Sequence, residues 1–313
     1  MSRLLLGFLF LVAALAGEIE SLSTVTSCPN THPVHFYPKT FTPSECRSII
    51  QQMKQLPVEK DHRVDKSVKR TNYFDKGAAI TSPDSKYRWI FERILPLYSP
   101  GESMESFVAR IDFILLHEFD ESDFFDWHVD TKPNDGTNRT DNINVMLSNG
   151  SEYQGGALLM GNHEVAASQG DMYFYPASYP HKVGDITGGR RHTFIIAMKS
   201  PSRSEEDRQL YWDSAEESFK QLCSSSSNHP VEPKFHMLYG EFLAALGRPE
   251  EEVDGKFADM YSSTAQAQEY VQSFWNMGNE LQKAGKVQES QGYFNMAAMI
   301  SSRIAATSGG KQP

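Results

Sequence analysis

The segment FFDWHVD, residues 124–130, carries a histidine and a carboxylate two positions apart. In an extended strand such positions share a face, so His128 and Asp130 converge while Val129 points the other way. A second histidine, His181, opens the segment PHKVGDITGGRRHTFIIAM, which becomes an apolar strand from Thr193 to Met198. Two histidines and one carboxylate that leave coordination positions open suit a non-haem Fe(II) oxygenase. Arg191, ten residues past His181, presents a planar fork able to hold a carboxylate through two hydrogen bonds, and Thr193 shares its face. The set predicts a metal site at His128, Asp130 and His181, with a dicarboxylate cosubstrate that chelates the metal and is clamped by Arg191.

Two other histidines compete for that role. His163 follows Gly161-Asn162 in a hairpin-turn sequence, and His192 alternates away from Arg191 and Thr193. Both read as surface or packing residues. Zinc in the same three ligands is a hydrolytic alternative, but it leaves Arg191 and Thr193 without a purpose.

The pieces WHVD (127–130), LSNGSEYQGGALLM (147–160), QGDMYFYP (169–176) and HKVGDITGGRRHT (181–193) together resemble the Fe(II)/2-oxoglutarate dioxygenases of the prolyl and lysyl hydroxylase type. The resemblance covers residues 35–200. It implies iron on His128, Asp130 and His181, 2-oxoglutarate on Arg191 with Thr193 and Asn144 beside it, O₂ as co-reactant and ascorbate as a further cofactor. It also implies hydroxylation of prolyl or lysyl side chains in a polypeptide substrate, with release of succinate and CO₂. Two departures stand out. Positions that often hold a tyrosine before the first histidine hold His117 and Phe119, and the clamp is Arg191 where the collagen prolyl 4-hydroxylases have lysine. A non-catalytic scaffold built on a degenerate barrel is the alternative from another class.

The elements that must position these residues follow from local patterns. HFYPKTFTPSECRSIIQQMKQL reads as a strand and then a helix, with Thr42 as N-cap, Pro43 in the first turn and Glu45 completing a capping box. The charged run 58–76 reads as a solvated loop, with a substrate-contacting lid as the lesser alternative. SPDSKYRWIFERILPLY, 82–98, reads as a second supporting helix stopped by Pro96. From Phe107 to Met198, short apolar runs between turn signals predict eight strands: 107–117, 124–130, 141–147, 156–160, 163–167, 171–175, 180–184 and 191–198. That pattern fits an α+β domain built on a double-stranded β-helix, or jelly roll. Within it Asn142 and Asn144 alternate with Ile143 and Val145, and Gly155 or Gly156 supplies a backbone conformation other residues resist; Trp127 and Phe125 read as packing residues, with the floor of a substrate pocket as the alternative for either, and Arg139 is a candidate for substrate or cosubstrate contact.

Residues 1–16, MSRLLLGFLFLVAALA, place a basic residue before an apolar run that is short for a membrane span. They read as a secretory signal peptide, with an uncleaved anchor as the alternative. Residues 17–34 read as a lead-in. The sequons at Asn138 and Asn149 agree with a secretory route, to the endoplasmic reticulum lumen or outside the cell. Three cysteines define no framework, although an oxidising compartment would permit a Cys28–Cys46 bridge. A net charge of −10 offers no basic stripe for a phosphate backbone, so nucleic acid is not an expected partner.

After Ser200 the chain reads as an all-α region over 205–305, with a flexible tail at 306–313. SFWNMGNELQKAGKVQESQGYFNMAAMI, 273–300, resembles a tetratricopeptide repeat, and Gly240 and Gly247 repeat the spacing of Gly278 and Gly285. Two copies are too few to stand alone, so these helices are expected to dock on the barrel or on a protein partner, with a plain helical bundle as the alternative to the repeat.

Overall fold

In the computed structural model the described residues are 34–63, 66–73, 80–161, 163–200, 204–224, 233–249, 252–253, 255–256, 264–283, 290–291, 294, 297–298, 300–302 and 304–305. Residues 1–16, read as a signal peptide, nearly all of the lead-in and residues 306–313 lie outside them, as does Cys28 of the expected Cys28–Cys46 bridge. Cys46 is a buried free thiol whose Sγ lies 4.0 Å from the Met146 carbonyl.

Thirteen strands are described: β1 (His35–Tyr37), β2 (Val58–Arg63), β3 (Lys66–Tyr73), β4 (Ile111–Phe119), β5 (Phe124–His128), β6 (Arg139–Met146), β7 (Tyr153–Gly155), β8 (Leu158–Met160), β9 (His163–Glu164), β10 (Met172–Pro176), β11 (His181–Val183), β12 (Ile186–Gly189) and β13 (Arg191–Lys199). Eleven form one antiparallel sheet in the order β1-β10-β6-β13-β4-β3-β5-β11-β8-β9, with β2 on β3; β7 and β12 pair separately. One pocket is lined from both halves of this path, by β4, β6, β10 and β13 on one side and β5, β8 and β11 on the other. The sheet therefore closes over a mouth as a jelly roll does.

Period-two alternation sorts each long strand between pocket and core. Phe113, Leu115, His117 and Phe119 of β4 line the pocket, while Ile114 and Leu116 enter an apolar cluster on the opposite face. β13 divides Arg191, Thr193 and Ile195 from Phe194, Ile196 and Met198, and β6 divides Asn142 and Asn144 from Ile143 and Val145.

Three helices cover that apolar face: α1 (Pro43–Met53), α2 (Arg88–Tyr98) and α3 (Met104–Arg110). The Thr42–Glu45 capping box of α1 is formed in full, and Cys46, Ile49 and Met53 are its buried stripe. Pro96 does not stop α2; it sits inside the helix, two residues before the end. Residues 107–110, expected as the start of a strand, instead belong to α3, whose first turn is capped by Ser103 on the Ser106 N–H. The run 58–76, expected as a loop, is in its described part the β2–β3 hairpin, and β3 pairs with both β4 and β5.

Beyond β13 the described residues are helical: α4 (Glu205–Ser224), α5 (Pro233–Ala245), α6 (Thr264–Lys283) and short pieces from 290 to 305. Phe219, Phe235, Phe242, Phe274 and Ile300 form an apolar cluster that also takes in Trp127, Val129 and Leu159 of the barrel. The helices are thus continuous with the outer face of the β5–β11–β8 half. No described helix is long and apolar enough to cross a membrane.

Candidate metal centre and carboxylate pocket

His128 ends β5 and His181 begins β11, and the two are direct Cα partners in the antiparallel pairing. Their ring centroids lie 4.1 Å apart. The strand stops at His128, two residues earlier than expected, and Asp130 follows in a turn whose backbone N–H donates to the Ala177 carbonyl at 2.8 Å. Asp130 still faces the histidines: Oδ1 is 3.8 Å from His128 Nε2 and Oδ2 is 3.4 Å from His181 Nε2. One ligand atom from each of the three residues falls within 4.8 Å of the other two, the only such metal-ligating cluster among the described residues.

Hydrogen bonds behind the ligands choose which atoms are available. His128 Nδ1 lies 2.7 Å from the Asp126 carbonyl and His181 Nδ1 lies 2.9 Å from the Tyr179 carbonyl. A carbonyl only accepts, so each Nδ1 donates and each Nε2 keeps its lone pair, the arrangement a metal-binding imidazole needs. Asn142 Nδ2 donates to Asp130 Oδ2 at 2.6 Å, and Arg139 Nη1 donates to the Asp130 carbonyl at 2.7 Å. Burial pushes the Asp130 carboxyl up, but His181, His128 and Arg139 outweigh it and hold it below its ordinary value. The donor set, its tautomers and its spacing fit a facial two-histidine, one-carboxylate centre.

Arg191 lies in the same pocket and is 2% exposed. Its Nη1 donates to Thr193 Oγ1 at 2.8 Å, its guanidinium lies 5.7 Å from the Phe119 ring centroid, and its Nε has no hydrogen-bond partner. No carboxylate among the described residues pairs with it. A buried cation left in this state is costly, so the pocket is built to receive an anion. Asn144 Nδ2 is a second buried donor without a partner on this wall. These two orphan donors, with Thr193, fit a carboxylate-bearing cosubstrate.

Spacing alone missed several residues. Tyr173 and Tyr175 of β10 line the pocket on either side of outward-facing Phe174, a period-two signal inside QGDMYFYP. Burial pushes the Tyr173 phenol up to about 12 against the opposing pull of Arg191, so it stays a donor beside the guanidinium. Tyr173 thus brings a phenol to the pocket although Phe119 stands where a tyrosine is common in the family resembled. Tyr175 Oη lies 3.3 Å from His181 Nε2, and burial, then Asp130, raise its pKa. His117, the register partner of Thr193, also faces in.

Trp127 is a correction. It lines no part of the pocket but points to the other face of β5, where its ring meets Phe235 edge-on at 5.4 Å. The alternation that brings His128 and Asp130 together puts Trp127 and Val129 opposite. Arg139 does line the pocket, with Nη2 on Asp112 at 3.0 Å. The rival histidines take other places: His163 is exposed on β9, and His192 contacts Ser148 and Glu118.

Fold and site together define a jelly-roll protein whose one mouth holds a two-histidine, one-carboxylate triad spaced to hold a metal ion and, beside it, a buried guanidinium. No family model matches the chain. Among curated proteins it is similar to PKHD-type hydroxylases. The match to one from Acinetobacter baumannii is 35% identical over 121 residues, 36% of this chain and 53% of that protein. That to one from Synechococcus is 30% identical over 119 residues, 37% and 54%. That to one from Psychrobacter is 35% identical over 80 residues, 24% and 31%. The chain thus spans about half or less of the length of these relatives. Among solved structures it is similar to a Pseudomonas putida prolyl-4-hydroxylase, with 13% identity, TM-score 0.43, and 58% of this chain and 100% of that one covered. A Trichoplax adhaerens prolyl hydroxylase, solved with a peptide fragment of the hypoxia inducible factor oxygen degradation domain, gives 12%, 0.45, 63% and 95%.

Proposed function

We propose that this chain is an Fe(II)- and 2-oxoglutarate-dependent dioxygenase that hydroxylates its substrate. The observation that carries the reading is the convergence, in one pocket, of His128, Asp130 and His181 with a buried guanidinium that lacks a carboxylate partner. The similarity to hydroxylases over part of the chain supports it.

His128 Nε2, His181 Nε2 and an Asp130 oxygen would hold Fe(II), which with 2-oxoglutarate and O₂ supplies the oxidising chemistry. Arg191 with Thr193 would bind the far carboxylate of 2-oxoglutarate, with the Asn144 amide and Tyr173 hydroxyl as further donors. Asn142 and Arg139 keep Asp130 turned to the centre. Phe125, stacked on His128 at 3.6 Å between centroids, joins Leu158 and Val183 in walling off water. Ascorbate as a reductant belongs to the same reading.

The substrate assigned is a polypeptide, modified on prolyl or lysyl side chains in the secretory pathway. Its support is the resemblance of residues 35–200, the leader-like residues 1–16 and the two sequons. The helices after Ser204 would present that polypeptide or take a protein partner. Support for repeat-like packing is Gly278, where a Cβ would meet the Phe294 ring at 2.4 Å.

The test is anaerobic Fe(II) titration, then succinate release with 2-oxoglutarate over proline- and lysine-containing peptides, with mass spectrometry to locate added oxygen. Protein that binds no iron and turns over no 2-oxoglutarate would be the scaffold alternative, and this proposal would fail.

A further inference from the structure

We propose that the helical layer after the barrel is a positioning element of the metal site, acting through Trp127 and Tyr211. The inference rests on reading His128, Asp130 and His181 as metal ligands. The described residues of the helices contribute no ligand, yet they touch both chain segments that carry one.

The first is the β5 segment. Trp127 and Val129 alternate with His128 and Asp130 and enter the apolar cluster of Phe219, Leu222 and Phe235. Past Asp130, Lys132 Nζ pairs with Glu241 of α5 at 2.5 Å, and Asn134 Nδ2 donates to the Ala245 carbonyl at 3.1 Å. The second is the turn before His181. Tyr211 Oη of α4 accepts from the Ser178 N–H and donates to the Thr140 carbonyl, both at 3.0 Å. That turn contains Ala177, whose carbonyl receives the Asp130 and Thr131 N–H groups, and Tyr179, whose carbonyl takes the His181 Nδ1 proton. Lys182, next to His181, sits over the Trp127 ring at 5.3 Å.

The physical need for this cover lies in the short strands of that half. β5, β11, β8 and β9 run five, three, three and two residues. A sheet so small with one face bare does not hold itself rigid, whereas ligands need placement to roughly 0.5 Å. The long-stranded half has α1–α3 on its outer face; α4 and α5 do the same for the half that holds the histidines.

The test uses the full chain, with anaerobic Fe(II) affinity by calorimetry and thermal unfolding of the metal-free protein as readouts. Phe235→Ala opens the cluster under Trp127, and Tyr211→Phe removes only the hydroxyl clasp. Ile49→Ala, in the other apolar cluster, is the control for general destabilisation. The expected result is Fe(II) affinity lower by about tenfold or more in Phe235→Ala and Tyr211→Phe, the scale of a lost outer-shell partner, with Ile49→Ala less stable but unchanged in affinity. Wild-type affinity in both helical variants, or an equal loss in Ile49→Ala, overturns the proposal and leaves the iron reading standing. A wild-type protein that binds no Fe(II) removes the iron reading first, and this proposal with it.

Discussion

His128 and His181, far apart in the chain, are direct cross-strand partners of β5 and β11, with ring centroids 4.1 Å apart and both Nδ1 atoms held by backbone carbonyls. The antiparallel register brings the two imidazoles together, and Asp130 completes the set from the turn after β5. Removing any of the three takes away a ligand, not an outer support. His128→Ala, Asp130→Ala and His181→Ala are each expected to lower Fe(II) affinity by more than the roughly 10–100-fold that outer-shell changes cost. Anaerobic calorimetry reads this directly. Wild-type affinity in any of these variants would place the metal elsewhere.

Arg191 makes a prediction of opposite sign in the presence and absence of cosubstrate. Its buried guanidinium lacks a carboxylate partner, so Arg191→Met should raise the melting temperature of the ligand-free protein. The same change should raise the KM for 2-oxoglutarate about thirtyfold or more, from the roughly 2–5 kcal/mol that a truncated buried charge pair costs. In the wild type, 2-oxoglutarate with metal at a hundred times its Kd should add about 2.7 kcal/mol of stability. Thermal shift with and without 2-oxoglutarate measures the two stability changes, and steady-state succinate release measures the KM.

Gly156 sits behind that arginine. Its φ is +64°, and a Cβ there would meet Ile186 Cδ1 at 2.3 Å and Arg191 Cδ at 3.1 Å. Gly156→Ala should cost about 1–3 kcal/mol from backbone strain and displace the guanidinium. Urea unfolding and the KM for 2-oxoglutarate should move together; a variant with wild-type values in both would show that the space behind Arg191 is not needed.

Acid should destabilise the fold through Glu118 and His192. Burial pushes the Glu118 carboxyl up, but Lys54 at 2.7 Å, His192 at 3.0 Å and Arg190 at 3.7 Å outweigh it and hold it at about 2 against an ordinary 4.5. Its contribution is full above pH 4.5 and lost as pH falls toward 2. Burial, then Lys54, lowers the His192 pKa below 6.5, so the unfolded chain takes that proton first and stability declines from pH 6.5 downward. The urea midpoint should fall across both windows, and Glu118→Gln should flatten the part below 4.5.

The proposed secretory route has its own readout. Asn149 and Ser151 are exposed, with Asn149 Oδ1 accepting from Ser151, whereas Thr140 of the other sequon is buried with Oγ1 toward the Met198 carbonyl. Expression with residues 1–16 in a eukaryotic cell should give a glycosidase-sensitive mobility shift that Asn149→Gln abolishes. Secreted protein without that shift would leave the sequon unused.

Residue type and spacing by themselves singled out His128, Asp130 and His181, set Arg191 and Thr193 on one strand face, and determined the capped helix at 43–53 and the alternation of Asn142 and Asn144 with Ile143 and Val145, because the faces and the cap depend on backbone periodicity and local hydrogen bonds. Only the tertiary structure decided what each face meets. The charged run after Val58 became a paired hairpin because β4 and β5 offered it backbone partners, which outweigh local polarity. In β5 the strand period already set Trp127 opposite His128, and only the fold supplied the helices it meets. Tyr173 and Tyr175 became pocket residues because a strand's period says that two faces differ and not which one is the mouth. That choice was made by the closure of the sheet and by the apolar surface of α4 and α5, contacts between residues too far apart in the chain for any local pattern to register.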